Sequence, residues 1–119
     1  MKEENVLCAT NAYKELYYFN KRFSKLPESV KKELQIALVS FTTEVGGVVT
    51  LYFEEDGTLM INTDHEDNDF LYDDISAGLL TRRLQREKEE LFEQLELFYR
   101  TFYLKEPLPV TEEKSDTNN

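Results

Sequence analysis

The sequence predicts an α+β fold: a small antiparallel sheet packed by an amphipathic helix and a long C-terminal helix. Three observations carry that prediction. An apolar stripe at helical period occupies 27–45, and a pair of strand-like runs flanks an Asp-Gly turn within 48–64. Near-heptad apolar spacing then runs through 74–104. A hydrophobic content of 40% with eight Phe and seven Tyr supports a packed, aromatic interior. At 119 residues the chain fits one domain, large enough to bury roughly two-thirds of its unfolded surface. We assign that α+β domain to 1–106. Residues 107–119 are expected to form a disordered polar tail, because after Pro107 and Pro109 the chain reads TEEKSDTNN with nothing apolar to bury.

In the first 25 residues two templates compete. Ala9, Ala12, Tyr13, Leu16 and Tyr17 fit a helical face, while Leu16 to Phe19 reads LYYF and has strong strand propensity. The reading adopted is a short strand at 14–20, placed as a third strand beside the hairpin. The 27–45 helix is better defined. Pro27 suits the first helical position, where its missing N–H is not needed, and Glu28 sits well against the helix N-terminus. Val30, Leu34, Ala37, Leu38, Phe41 and Val45 make one stripe, and Gly46-Gly47 supplies the stop.

The hairpin register can be derived from its faces. A two-residue Asp56-Gly57 loop would set Leu51 against Asn62 and Val49 against Asp64, wasting the apolar side. A three-residue Glu55-Asp56-Gly57 loop instead sets Phe53 against Leu59, Leu51 against Ile61 and Val49 against Thr63. Register follows the buried face, and a three-residue loop ending in a left-handed glycine is a common solution. The second register is therefore predicted.

The helix predicted over 74–104 begins where either Asp73 or Asp74 can cap it. Uninterrupted it would be roughly 46 Å long, whereas a domain of this size has a radius of gyration of about 14 Å. Ala77, Leu84, Leu91, Leu95, Phe98 and Phe102 form a seam that Thr81 and Lys88 interrupt, and RRLQREKEE in the middle is almost wholly charged. Such a helix either protrudes or is covered by a second subunit.

Charge is distributed unevenly. The formal net charge is −10, and no Lys or Arg occurs between Glu33 and Thr81. An acidic chain is a poor partner for nucleic-acid phosphates, which require clustered Lys and Arg, so no nucleic acid is expected. No apolar run approaches the ~20 residues of a membrane span, and no membrane association is expected. The start, MKEENVLCAT, lacks a basic region followed by a long apolar stretch, so no secretory signal is expected. With one cysteine there is no intramolecular disulfide, and a cytoplasmic setting is consistent.

The densest acidic stretch is THEDNDFLYDD. Its Asp64, Glu66, Asp67 and Asp69 are weak candidates for a hard cation, which seeks oxygen ligands. The EF-hand spacing fails, since position six from Asp64 is Asp69 rather than Gly and position twelve is Ile75 rather than Glu. His65 is the only histidine and Cys8 the only cysteine, so neither a His-rich nor a thiolate metal cluster can form in one chain. A Cys8–His65 nucleophilic pair has nothing around it to lower the thiol pKa. No catalytic residues and no cofactor are assigned. Asp69, Asp73 and Asp74, together with the basic Arg82, Arg83 and Arg86, are candidates for partner binding. Arg83–Glu87 and Arg86–Glu90 are i,i+4 neighbours that could instead pair with each other.

LPESVKKELQ, the EVGG stop, FEEDGTL, NDFLYDDI and LFEQLELFYRTFYL together resemble a family of short bacterial proteins catalogued as a domain of unknown function. The resemblance spans nearly the whole chain apart from the tail and implies a bacterial origin. It transfers no functional residue. The functional expectation is a non-enzymatic cytoplasmic protein-interaction or regulatory protein, a homodimer through the long C-terminal helix, with room for an unidentified protein partner. The alternative is a small-ligand or divalent-cation-binding domain using the acidic 64–74 segment.

Overall fold

Four antiparallel strands in the order β2-β1-β3-β4 form the sheet of the computed structural model, which describes residues 2–106. The strands are β1 (Val6–Asn11), β2 (Leu16–Phe19), β3 (Val48–Phe53) and β4 (Leu59–Asp64). The helices are α1 (Glu28–Val45), α2 (Asp74–Glu87) and α3 (Glu89–Phe102), with short 3-10 turns at Glu3–Asn5 and Lys21–Phe23. The fold is α+β. The tail at 107–119 lies outside the described residues.

The central hairpin has the derived register: Phe53 pairs with Leu59, Leu51 with Ile61 and Val49 with Thr63. Its three-residue loop closes through Glu54 N–H to Thr58 O and Gly57 N–H to Glu54 O, with Gly57 at φ +91°. Val49, Leu51, Phe53 and Leu59 are buried on one face, where Leu34, Leu38 and Phe41 of α1 join them in the core. Thr10 and Thr42, the buried polar pair, bond to each other through their hydroxyls, and Thr42 also donates to Leu38 O at 2.7 Å. Both hydroxyls are thereby satisfied away from water.

Three expectations need correction. First, the strand near 14–20 exists as β2, but it is not beside the central hairpin. Strand β1, absent from the sequence reading, lies between them, pairing Cys8 with Phe19 on one side and with Leu51 on the other. A register irregularity between Val6 and Cys8 leaves Leu7 and Cys8 both buried, which breaks the period-two alternation that marks a strand. Second, Pro27 is the N-cap of α1 rather than its first helical residue, with extended ψ of 148° and its carbonyl accepting from Lys31 N–H.

Third, the C-terminal helix is not continuous over 74–104. It breaks at Lys88, whose φ of −112° and ψ of 22° leave the helical region, and it ends at Phe102. Position 88 falls on the seam between the buried Leu84 and Leu91, and a lysine there cannot be sealed in the core. Its ammonium turns to Glu33 of α1 at 3.2 Å. Thr81, the other interruption, is accommodated without a break by donating its hydroxyl to Ala77 O at 2.7 Å. Phe102, expected in the seam, is 63% exposed, and Tyr99 takes the core position instead. Tyr99 stacks on Phe53 at 4.2 Å between ring centroids, and Phe23 and Tyr103 complete the cluster.

Helix α1 ends against Gly46 and Gly47, both at positive φ (+82° and +70°). They differ in surroundings. A Cβ on Gly46 would meet nothing within 4 Å, whereas one on Gly47 would lie 2.3 Å from the Asp64 carbonyl oxygen. Gly46→Ala is expected to cost about 1–3 kcal/mol from backbone strain alone. Gly47→Ala adds a clash with backbone that cannot swing aside, so chemical denaturation should show the larger loss for Gly47→Ala.

Candidate functional site

The segment from Asp64 to Asp74 leaves the end of β4 and returns to α2 as a closed, hydrogen-bonded loop. Its inner layer is aromatic. His65 stacks on Tyr72 with ring centroids 4.4 Å apart, and Tyr72 lies over the open side of Gly47. Tyr13, from the turn between β1 and β2, reaches in from the other side. Its hydroxyl donates to Asp69 Oδ2 at 2.6 Å and accepts from Glu66 N–H at 3.0 Å. That turn is itself shaped by Asn11, whose side-chain oxygen accepts from Tyr13 N–H and Lys14 N–H.

Three of the six carboxylates, Asp64, Asp69 and Asp73, hold this loop. Asp64 Oδ1 accepts from His65 N–H at 2.8 Å, and Asp69 Oδ1 accepts from Leu71 N–H at 3.2 Å. Asp73, rather than Asp74, caps α2: it accepts from Ile75 N–H, Ser76 N–H and the Ser76 hydroxyl. These bonds, the Ser76 hydroxyl foremost, hold the Asp73 carboxyl below the usual aspartate range. Among the described residues no three His, Cys, Asp or Glu side chains are placed to hold a metal ion together. Asp64, Glu66, Asp67 and Asp69 are neighbours in sequence that do not converge on one point.

Further along α2 the three arginines part company. Arg83 reaches Glu44 of α1 at 2.6 Å and Glu87 at 3.9 Å. Arg82 and Arg86 have no carboxylate within 4.0 Å among the described residues, so the anticipated Arg86–Glu90 pair does not form. The α1–α2 cleft, about 630 Å³ and floored by Ile36, Phe41, Leu80 and Leu84, is rimmed by charges that pair across it. A second cleft of about 590 Å³ between the β1–β2 turn and α1 is lined by Asn11, Gln35 and Thr43, with Glu15 its one charged residue.

Sequence reasoning missed what accompanies the charges. Phe70 and Leu71 are 91% and 95% exposed at the tip of the acidic loop, and Ile75 and Leu79 on α2 are 77% and 58% exposed. The signal was present in NDFLYDDI, since two large apolar residues among acids that cap a helix have nowhere inward to go. Cys8, by contrast, is sealed in β1. Burial pushes its thiol up to about 12, so it is a structural rather than a nucleophilic sulfur.

His65 donates through Nδ1 to Glu66 O at 2.9 Å, and Asp74 lies 3.9 Å from Nε2. The carbonyl bond, then the attraction of Asp74, Asp64 and Asp69, raise its pKa above the ordinary 6.5. A histidine with a raised folded pKa favours the native loop when protonated. That contribution is complete below the unfolded value and is lost as pH rises through the folded value. The His65 ring resonances should therefore titrate with a midpoint above 6.5, and Asp74→Asn should lower it. Protection of the Glu66 amide should decline as pH rises from 6.5 through that midpoint, and Tyr13→Phe should reduce it at every pH.

A family of unknown function, DUF6145, matches residues 4–107, and the chain belongs to it. No curated protein and no solved structure matches the chain.

Proposed function

We propose that this member of DUF6145 is a non-enzymatic protein of the bacterial cytoplasm that works by protein interaction and self-associates through its C-terminal helical segment. The observation that carries the reading is the run of exposed apolar side chains at Phe70, Leu71, Ile75 and Leu79. Together they offer on the order of 500 Å² of apolar surface, near the upper end of what a monomeric protein leaves bare, and such patches mark interaction sites. With the helix broken at Lys88, α3 is committed to the core through Leu91, Leu95 and Tyr99. The outward face of α2 carries the exposed Ile75 and Leu79, next in sequence to the loop-tip pair, and α3 leaves Leu97 and Phe102 exposed farther along. No helix of the described residues is long and apolar enough to cross a membrane, so a bilayer-spanning role gives no account of the patch.

The cation-binding alternative has less in its favour. Asp64, Asp69 and Asp73 are engaged in capping and turn closure, and the loop carboxylates do not converge.

Sedimentation velocity across a concentration series tests the proposal. The wild-type chain should show a rising weight-average mass between low and high micromolar concentration, and Ile75→Asp with Leu79→Asp should remain monomeric. Because both side chains face solvent, the double variant should unfold within about 0.5 kcal/mol of wild type. A strict monomer for the wild-type chain at high micromolar concentration would sink the reading.

A further inference from the structure

We infer that the occupant of the α2 face is a second copy of this chain, lying antiparallel across a two-fold axis at Leu79, so that Arg82 and Arg86 of each copy meet the acidic loop of the other. The inference rests on the self-association proposed above and adds the partner's orientation and the contacts that select it.

Three features of α2 point this way. Ile75, Leu79, Arg82 and Arg86 follow spacings of four, three and four, which sets them on one helical stripe. That stripe is opposite Ala77 and Leu84, the residues α2 buries, so it faces away from the chain's own core. Along it the chemistry changes in order, from the anionic loop through apolar Ile75 and Leu79 to the two arginines. Arg82 and Arg86 have no carboxylate within 4.0 Å among the described residues, and Asp74 is met only by His65, at 3.9 Å.

A surface ordered in this way complements itself only when reversed. A parallel copy would set arginines against arginines and carboxylates against carboxylates. An antiparallel copy centred on Leu79 sets Leu79 against Leu79 and brings unlike charges together at both ends. The lengths agree: Arg86 lies about 10 Å beyond Leu79 along the axis, and the exposed Asp74 lies about 8 Å before it. Gly78 borders the stripe, and a Cβ added there would meet nothing within 4 Å, so the backbone of a second helix has room to approach. Ile75 and Leu79 of both copies supply the apolar centre of the contact, and the loop-tip Phe70 and Leu71 must be covered with them for it to reach about 1,000 Å², the size at which a specific interface becomes credible. A two-fold contact uses the same patch twice and closes at a dimer.

Oxidative cross-linking and salt dependence test the orientation on the full-length chain, with the buried Cys8 left in place. Leu79→Cys should form a disulfide-linked dimer, because the two sulfurs meet at the axis. Arg86→Cys should not, since its two copies would stand about 20 Å apart. Arg82→Glu with Arg86→Glu should weaken dimerisation at least tenfold, whereas Arg83→Gln, whose guanidinium is held by Glu44, should change it less than threefold. Raising salt from about 0.05 to about 0.5 M should weaken the wild-type dimer several-fold. Efficient cross-linking of Arg86→Cys would overturn the antiparallel arrangement. A dimer indifferent to both the charge reversal and salt would overturn the charge-matched contact and leave self-association standing. A wild-type chain that stays monomeric would remove both.

Discussion

A lysine at position 88 falls where the C-terminal apolar seam calls for a core residue, and the packing of both halves of that segment follows from how the chain accommodates it. Burying the ammonium would cost several kcal/mol even beside a carboxylate. Turning out of the helical region at one residue costs less, because Lys88 N–H still donates to Leu84 O and Lys88 O still accepts from Phe92 N–H, both at 2.9 Å. The smaller cost wins. Lys88 steps out of the helix to Glu33, α2 lies along α1, and α3 turns onto the sheet. Glu96 accepts from Leu59 N–H at 2.8 Å, and Arg100 donates to Asp56 O at 3.2 Å. Through those bonds α3 grips the hairpin at its turn.

The aromatic cluster completes the closure. Phe53 from β3, Phe23 from the 3-10 turn, and Tyr99 and Tyr103 from the C-terminal end meet within 6.2 Å between centroids or less. Each such pair contributes about 0.5–1.5 kcal/mol beyond its buried area. Their hydroxyls find partners at the N-terminal side of the molecule: Tyr99 donates to Asn5 Oδ1 and Tyr103 to Arg22 O. Residues nearly a hundred positions apart are joined there, so the ends of the described chain are bound into one core.

How much of this was legible in the sequence depended on whether periodicity survived. The 48–64 register could be derived because alternation there is almost unbroken and only one loop length preserves an apolar face. Strand β1 was hidden because Leu7 and Cys8 are consecutive and both buried, a pattern that no period-two template accepts. At 88 the interruption was visible, but its outcome was not. A lysine in a seam can be tolerated by protrusion, by a partner or by a break, and the choice depends on Glu33, which reaches it only once α1 is in place. The acidic loop was legible as a location, and its capping aspartate as one of two. Which carboxylates turn inward to backbone N–H groups was not, because carboxylates in sequence look alike whether they gather around an ion or cap a helix.

The same reasoning sorts the charges around α2 by what they face. Glu44 holds Arg83, and Glu33 holds Lys88, so the charges facing α1 are neutralised within the chain. The charges on the opposite side of α2 are not. Like charges left this close to exposed Phe70, Leu71, Ile75 and Leu79 do nothing to hide that apolar surface from water, yet they decide what can cover it. In the proposed dimer the second copy brings acid to the arginines and base to the loop, in the reverse order along its own surface. Hydrophobic burial supplies the free energy of such a contact and is indifferent to orientation. The charges supply the orientation: in the proposed dimer the arginines stand on the outward face of α2 and the acids in the loop that precedes it.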